Sequence, residues 1–407
     1  MSLNKQKALI GLWLVILLCF VASNAAAQSA GWVAAWGASQ QSQGEMKISN
    51  ATVRMIARVT LSGDAVRIRL DNTFGKAPVT FSKATIAPRT RGASVALGLI
   101  KQVTFQKMAG VTIPAGESVV SDALPVHVEA QEDLAISLFV SGDAQPSQHN
   151  NAVVTSFLTE NGAGDATNSA EGKEFTGRTT SMFWLKAIDV QAAGATAIVA
   201  FGDSITDGTC TTLDAHDRWE DVLAQRLALQ GSSRSVVNEG IGGNTVTSAP
   251  NYQPPANSDP GLIRLDRDVL SHPGISHVVL FMGTNDIRRG APADLVISGL
   301  KTLIERVRAR GNIKVVGATI IPRHTTVPGV ADTGWNDEKT KIRHQVNEWI
   351  RKQAGFDAVL DFDRVMASKA NADLMEQSYN CGDGVHPSPL GYFQMGKSVN
   401  LPTFGLK

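Results

Sequence analysis

The 407-residue chain has few cysteines, no excess of either charge and almost no long apolar run. Three cysteines are too few for a disulfide-built scaffold or a cysteine-rich zinc module. The eight histidines are scattered, with no His-x-x-x-His pair, and there is no Cys-x-x-Cys; no structural metal and no cofactor is expected. Lys and Arg number 38 against 37 Asp and Glu, with no basic stripe, which argues against a nucleic-acid partner. Gly-x-Ser-x-Gly is absent, and with it the nucleophile elbow of an α/β-hydrolase. Hydrophobic residues are plentiful at 43%, enough for a large core, and the length suits two domains.

The single apolar run, Ala8 to Ala22, follows Lys5 and Lys7 and precedes the small residues Ala25, Ala26 and Ala27. At about 15 residues it falls short of the roughly 20 needed to span a bilayer. The order charged, apolar, small is that of a secretory signal peptide over residues 1–27, cleaved after Ala27. The mature protein is therefore expected to be secreted or periplasmic, without stable membrane insertion, with Cys210 and Cys381 as its cysteines.

Residues 31–193 read as antiparallel strands with one solvated face. Val53, Met55, Ala57, Val59 and Leu61 alternate with Thr52, Arg54, Ile56, Arg58 and Thr60, and Leu134, Ile136, Leu138 and Val140 repeat the pattern. A β-sandwich or jelly roll is expected, with the Gly/Ser/Thr/Asn-rich stretch 161–178 as a long loop or linker. Residues 194–407 change rhythm. Short apolar strands near 197–201, 235–238, 277–282, 313–320 and 358–362 alternate with amphipathic helices, one opening at Asp217 with Glu220 as its capping-box partner. That pattern predicts a doubly wound α/β parallel sheet, whose ligands sit at the carboxyl ends of the strands.

The chemistry-bearing residues follow those strand ends. Ser204 lies in Gly202-Asp203-Ser204, where a following helix can aim free N–H groups at developing negative charge. Asn238-Glu-Gly240-Ile-Gly242-Gly243 lets backbone approach a ligand closely. Gly283-Thr284-Asn285-Asp286 supplies an uncharged amide donor. Asp383 precedes His386 by three residues, so it can orient one ring nitrogen while the other faces a nucleophile. Each signal alone is weak, and each has an ordinary turn or capping alternative.

Together, in this order, they resemble the SGNH hydrolase superfamily, the GDSL esterases and lipases, over about residues 196–400. The resemblance implies a flavodoxin-like sheet, Ser204 as nucleophile, His386 as base, Asp383 as its orienter, and an oxyanion hole of Ser204, Gly243 and Asn285. It further implies a secreted serine esterase acting on a small-molecule or polysaccharide ester, with carbohydrate deacetylation and short-acyl or aryl ester hydrolysis as competing substrates. For carbohydrate substrates Trp32, Trp36, Trp184 and Trp335 are sugar-stacking candidates, against a role in the core; the alternative from another class is an inactive scaffold that binds carbohydrate. The 31–193 half resembles, more loosely, an accessory portion of longer bacterial members. Segments 250–260 and Pro322–Trp335 are expected to shape the pocket. Because Ser204 and His386 must meet, the loops carrying Cys210 and Cys381 are neighbours, and a disulfide between them is expected.

Overall fold

The computed structural model describes residues 31–248, 258–352 and 355–406. Segment 1–27, expected to be a signal peptide, and most of segment 250–260 lie outside them. None of the described helices is long and apolar enough to cross a membrane.

The first half is built from β1 (Trp32–Gly37), β2 (Ile48–Arg58), β3 (Val66–Asp71), β4 (Val79–Arg91), β5 (Asp133–Ala144) and β6 (Leu185–Gln191), with shorter strands at their margins. β1, β6 and β3 pair antiparallel in one sheet; β2, β5 and β4 pair antiparallel in another, in which Val53 faces Leu138 and Met55 faces Ile136. Alternate side chains of both sheets, among them Val53, Met55, Ile68, Leu138 and Ile188, enter one buried core.

Two expectations need correction here. The outer face of the larger sheet is not solvated: Ile56, Ala87 and Ala135 are buried beneath Phe157, Ala166 and Phe175. The stretch 161–178 therefore is no linker. Arg54, buried in β2, staples it down by donating to the carbonyls of Ala93 and Ser169, with its guanidinium 4.2 Å from the Phe175 ring. A period-two pattern with a polar partner at each step looks the same whether the polar residue meets water or a covering loop.

The second half holds five parallel strands: β7 (Thr196–Gly202), β8 (Arg234–Gly240), β9 (Ile275–Phe281), β10 (Lys314–Ala318) and β11 (Ala358–Leu360), in the spatial order β8-β7-β9-β10-β11. Chain order reverses at β7, which puts the crevice of such a sheet beside the C-terminal end of that strand. Short helices α1 (Ser204–Asp207) and α3 (Thr284–Arg288) sit at those strand ends. Helices α4 (Ala293–Ala309) and α5 (Asp337–Lys352) pack on one face of the sheet, through Leu300, Leu303, Val346 and Trp349 against Val199 and Val278. Helices α2 (Trp219–Leu229) and α6 (Pro389–Ser398) cover the other, through Leu223, Leu227, Tyr392 and Met395 against Ile198 and Val279.

α2 opens at Trp219, not Asp217. The Asp217 carboxylate accepts from Thr212 N and is spent on the preceding loop, while Asp221 accepts from the Arg218 backbone N–H. Glu220 turns inward, buried, to accept from Asn238.

The two halves share one core: Val33, Ala34 and Ile68 belong to the same buried cluster as Val199, Val237 and Val269. At the seam Ala34 N donates to Pro273 O, and the Thr60 hydroxyl bonds both the N–H and the carbonyl of Val236. Buried charges cross it as well. Lys186 lies 3.4 Å from Asp71 and 3.3 Å from Asp268, while Arg69 contacts Asp189 and His272. The His272 ring in turn lies 2.6 Å from Glu239, which also accepts from Ser39.

Candidate active site

β7 ends where only glycine fits: a Cβ on Gly202 would fall 2.1 Å from Thr206 Oγ1 and 3.0 Å from the Phe281 carbonyl. The chain turns at once into α1. Asp203 caps it by accepting from Ile205 N, and Gly208 closes it at φ +102°. Ser204 is its first residue, nine-tenths buried, at the mouth of the crevice. Burial pushes the Asp203 carboxyl up to about 7, against the hydrogen bond from Ile205 and the attraction of His386 and Arg323.

The loop before α6 brings His386 to the serine. Its Nε2 lies 2.9 Å from Ser204 Oγ and its Nδ1 lies 2.5 Å from Asp383 Oδ2. Asp383 Oδ1 also accepts from the backbone N–H groups of Val385 and His386. Burial raises this carboxyl, but the ring and backbone hydrogen bonds outweigh it and hold Asp383 at about 2. An ionised Asp383 can only accept, so Nδ1 carries the hydrogen and Nε2 is left to accept from the serine hydroxyl. Cys210 and Cys381 are disulfide-bonded, with their Cα atoms 6.3 Å apart, tying the loop after α1 to the loop before His386. One atom each of Cys210, Asp383 and His386 lies within 4.8 Å of the others, but these groups are already engaged by the disulfide and the Asp–His pair.

Gly243, at φ +72°, and Asn285 stand on the two neighbouring strand-end loops and line the same cleft as Ser204 and His386. Asn285 Nδ2 donates to Asn244 O at 3.0 Å, joining the loops. Asp286, buried beside it, accepts from Val246 N, Thr247 N and the Thr247 hydroxyl. The N–H groups of Ser204 and Gly243 have no protein acceptor among the described residues. The cleft has a volume of about 430 Å³, and Arg323, Val330, Asp332 and Thr333 of the segment Pro322–Trp335 form one wall.

Three supporting residues carry no motif signal. Arg264, wholly buried behind the strand ends, donates to Gly202 O at 2.8 Å, Asn244 Oδ1 at 2.9 Å and Glu239 O at 2.9 Å, so one guanidinium spans the loops of Ser204 and Gly243. Asp207, the last residue of α1, accepts from Gly242 N at 2.8 Å. Its other oxygen lies 2.9 Å from Nε2 of His149, a residue of the first half whose Nδ1 lies 2.9 Å from Ser39 O. Both nitrogens of this buried ring face acceptors. Burial disfavours the charge, yet Asp207 and the Ser39 carbonyl prevail and raise the His149 pKa. Sequence could not single these residues out, because each acts across a long chain separation. Of the four tryptophans, Trp32, Trp184 and Trp335 are buried and unavailable to a sugar; Trp184 packs edge-on against Phe81.

A serine, a histidine and an aspartate joined in series at the strand ends of a doubly wound sheet define the serine-hydrolase class of site. Residues 200–393 match the GDSL-like Lipase/Acylhydrolase family. Over 136 residues the chain is 32% identical to Esterase TesA of Pseudomonas aeruginosa, a match covering 33% of this chain and 60% of that protein, less than two thirds of its length. Among solved structures, the lipase/acylhydrolase from Enterococcus faecalis is 24% identical with a TM-score of 0.41, covering 52% of this chain and 97% of that one. A carbohydrate acetylesterase family member from Sinorhizobium meliloti is 18% identical with a TM-score of 0.40, covering 52% and 100%.

Proposed function

We propose that the protein is an exported serine esterase that hydrolyses carboxylic esters of polar, short-acyl substrates, O-acetylated carbohydrate among them. The observation that carries this is the series Asp383–His386–Ser204, with contacts of 2.5 and 2.9 Å. His386 takes the hydroxyl proton as Ser204 Oγ attacks the ester carbonyl, and Asp383 holds the ring and stabilises the imidazolium. The N–H groups of Ser204 and Gly243 and the amide of Asn285 receive the oxyanion; removing one such donor costs on the order of 10²–10³ in rate. His386 then protonates the leaving alcohol, and water, activated by the same ring, releases the acid.

Arg288, Arg323, Asp332 and Thr333 place polar groups on the cleft wall beside Val330 and Val385, which supports a substrate that carries polar groups near the ester. The intact hydrogen-bonded series speaks against an inactive carbohydrate-binding scaffold. Hydrolysis of 4-nitrophenyl acetate by the purified protein, and its fall by about 10⁴-fold or more in a folded Ser204→Ala variant, is the expected outcome. Substantial turnover by that variant would falsify the assignment of Ser204. Labelling by an organophosphonate at Ser204 provides the second readout.

A further inference from the structure

We propose that Arg288 and Arg323 form a subsite for an anionic group of the substrate, a carboxylate or phosphate borne near the scissile ester. This rests on the esterase function above and specifies the substrate class of the same cleft.

Both arginines line the cleft that holds Ser204, Asn285 and His386. Neither has a carboxylate partner among the described residues. Arg323 is 2% exposed, and burial with like-charge repulsion from Arg288 lowers its pKa to about 10, against the attraction of Asp203 and Asp383. Among the described residues its one side-chain hydrogen bond is Nη1 to Thr284 Oγ1 at 3.2 Å, and its buried Nε has no acceptor. A buried guanidinium short of acceptors is costly unless something else supplies them.

The surroundings hold these cations rather than neutralise them. The Arg323 guanidinium lies 4.6 Å from the Trp335 ring, which is pinned by its own Nε1 bond to Thr340 Oγ1 at 3.0 Å. Gly334, at φ +68°, leaves room for Arg288: a Cβ there would sit 3.0 Å from the guanidinium Nε. Lys339 adds a third positive charge, donating to Arg288 O and Gly334 O. The two acids on the cleft wall are occupied, Asp332 with Gly334 N and Asp383 with His386. A fork of donors without an ion-paired acid is how proteins recognise carboxylate and phosphate.

The test is a ratio of kcat/KM between matched anionic and neutral esters. One arm puts the charge on the acyl side, 4-nitrophenyl hemisuccinate against 4-nitrophenyl acetate. The other puts it on the alcohol side, acetylated glucuronate against acetylated glucose. In at least one arm the wild-type ratio should exceed about 10, in keeping with charge-assisted hydrogen bonds, and should shrink as salt is added. Arg288→Gln, a change at an exposed side chain, should bring that ratio down by about 10-fold; Arg323→Lys should lower it less than Arg323→Gln. Ratios at or below one in both arms, or a ratio unmoved in Arg288→Gln, overturn the subsite. Failure to turn over any of the four esters would instead count against the esterase function itself.

Discussion

At the scale of single residues the site depends on charges hidden behind it. His149 meets Asp207, and Asp207 meets the Gly242 N–H beside the proposed oxyanion donor Gly243. His149→Gln keeps a donor but removes the charge. We expect kcat to fall about 10- to 100-fold with KM little changed, since displaced catalytic groups cost rate rather than affinity. An unchanged kcat per folded molecule would show that His149 does not position that loop. Hidden charge also sets a pH dependence. Asp203 is held at about 7 against about 3.9 in an unfolded chain, so its contribution is full below the unfolded value and lost as pH rises to about 7. His149, raised by Asp207, loses its contribution in the same direction, above about 6.5. His277, lowered to about 4 by burial, opposes them only below about 6.5. Melting temperature should therefore decline as pH rises above about 6.5, and Asp203→Asn, which keeps the cap, should flatten the part of that decline below about pH 7. A melting temperature that climbs through this window contradicts the signs assigned to both groups.

At the scale of elements, the turn after β7 and the loop before α6 are joined twice, through the Ser204–His386 contact and through Cys210–Cys381. The bridge closes 171 residues, for which the chain-entropy model gives up to about 5 kcal/mol before strain is subtracted. Cys210→Ser should lower both melting temperature and activity, and mild reduction of the wild type should do the same. Two freely alkylated thiols in native, active enzyme would refute this. These elements were legible in the sequence because their signals are local: an apolar run ending in Gly202-Asp203-Ser204, or Asp383 three residues before His386. The start of α2 differs because Asp217 reads as a good cap, and only the fold of the 212–217 loop shows its carboxylate spent on Thr212 while Arg218 takes the cap position and Asp221 accepts from its N–H. Arg264 and His149 could not be read at all. Their meaning lies largely in partners remote in the chain, such as Ser39, 225 positions from Arg264 and 110 from His149.

At the scale of the whole molecule the first half is part of the hydrolase body. Lys186 is the cation that answers Asp71 in its own half and Asp268 across the seam, and all three are buried. Removing one partner of such a pair typically costs about 3–5 kcal/mol, because the other charge is left buried and unpaired. Lys186→Met should destabilise by about that much, and adding Asp71→Asn should recover part of the loss, as chemical denaturation of the three variants can measure. A Lys186→Met protein as stable as the wild type would mean that the seam tolerates a bare carboxylate.

The covalent bridge also sets an order in time. Synthesis releases Cys210 long before Cys381, and beyond residue 27 the chain has no other thiol with which either could pair in error. No shuffling among alternative partners is open to it. Its closure waits at least until Cys381, 171 residues further on, has been made, since the serine's turn and the histidine's loop must first be brought together. The oxidised fraction of newly made protein is therefore a clock: it counts molecules that have finished assembling the crevice, and a pulse-chase of thiol alkylation would read maturation directly.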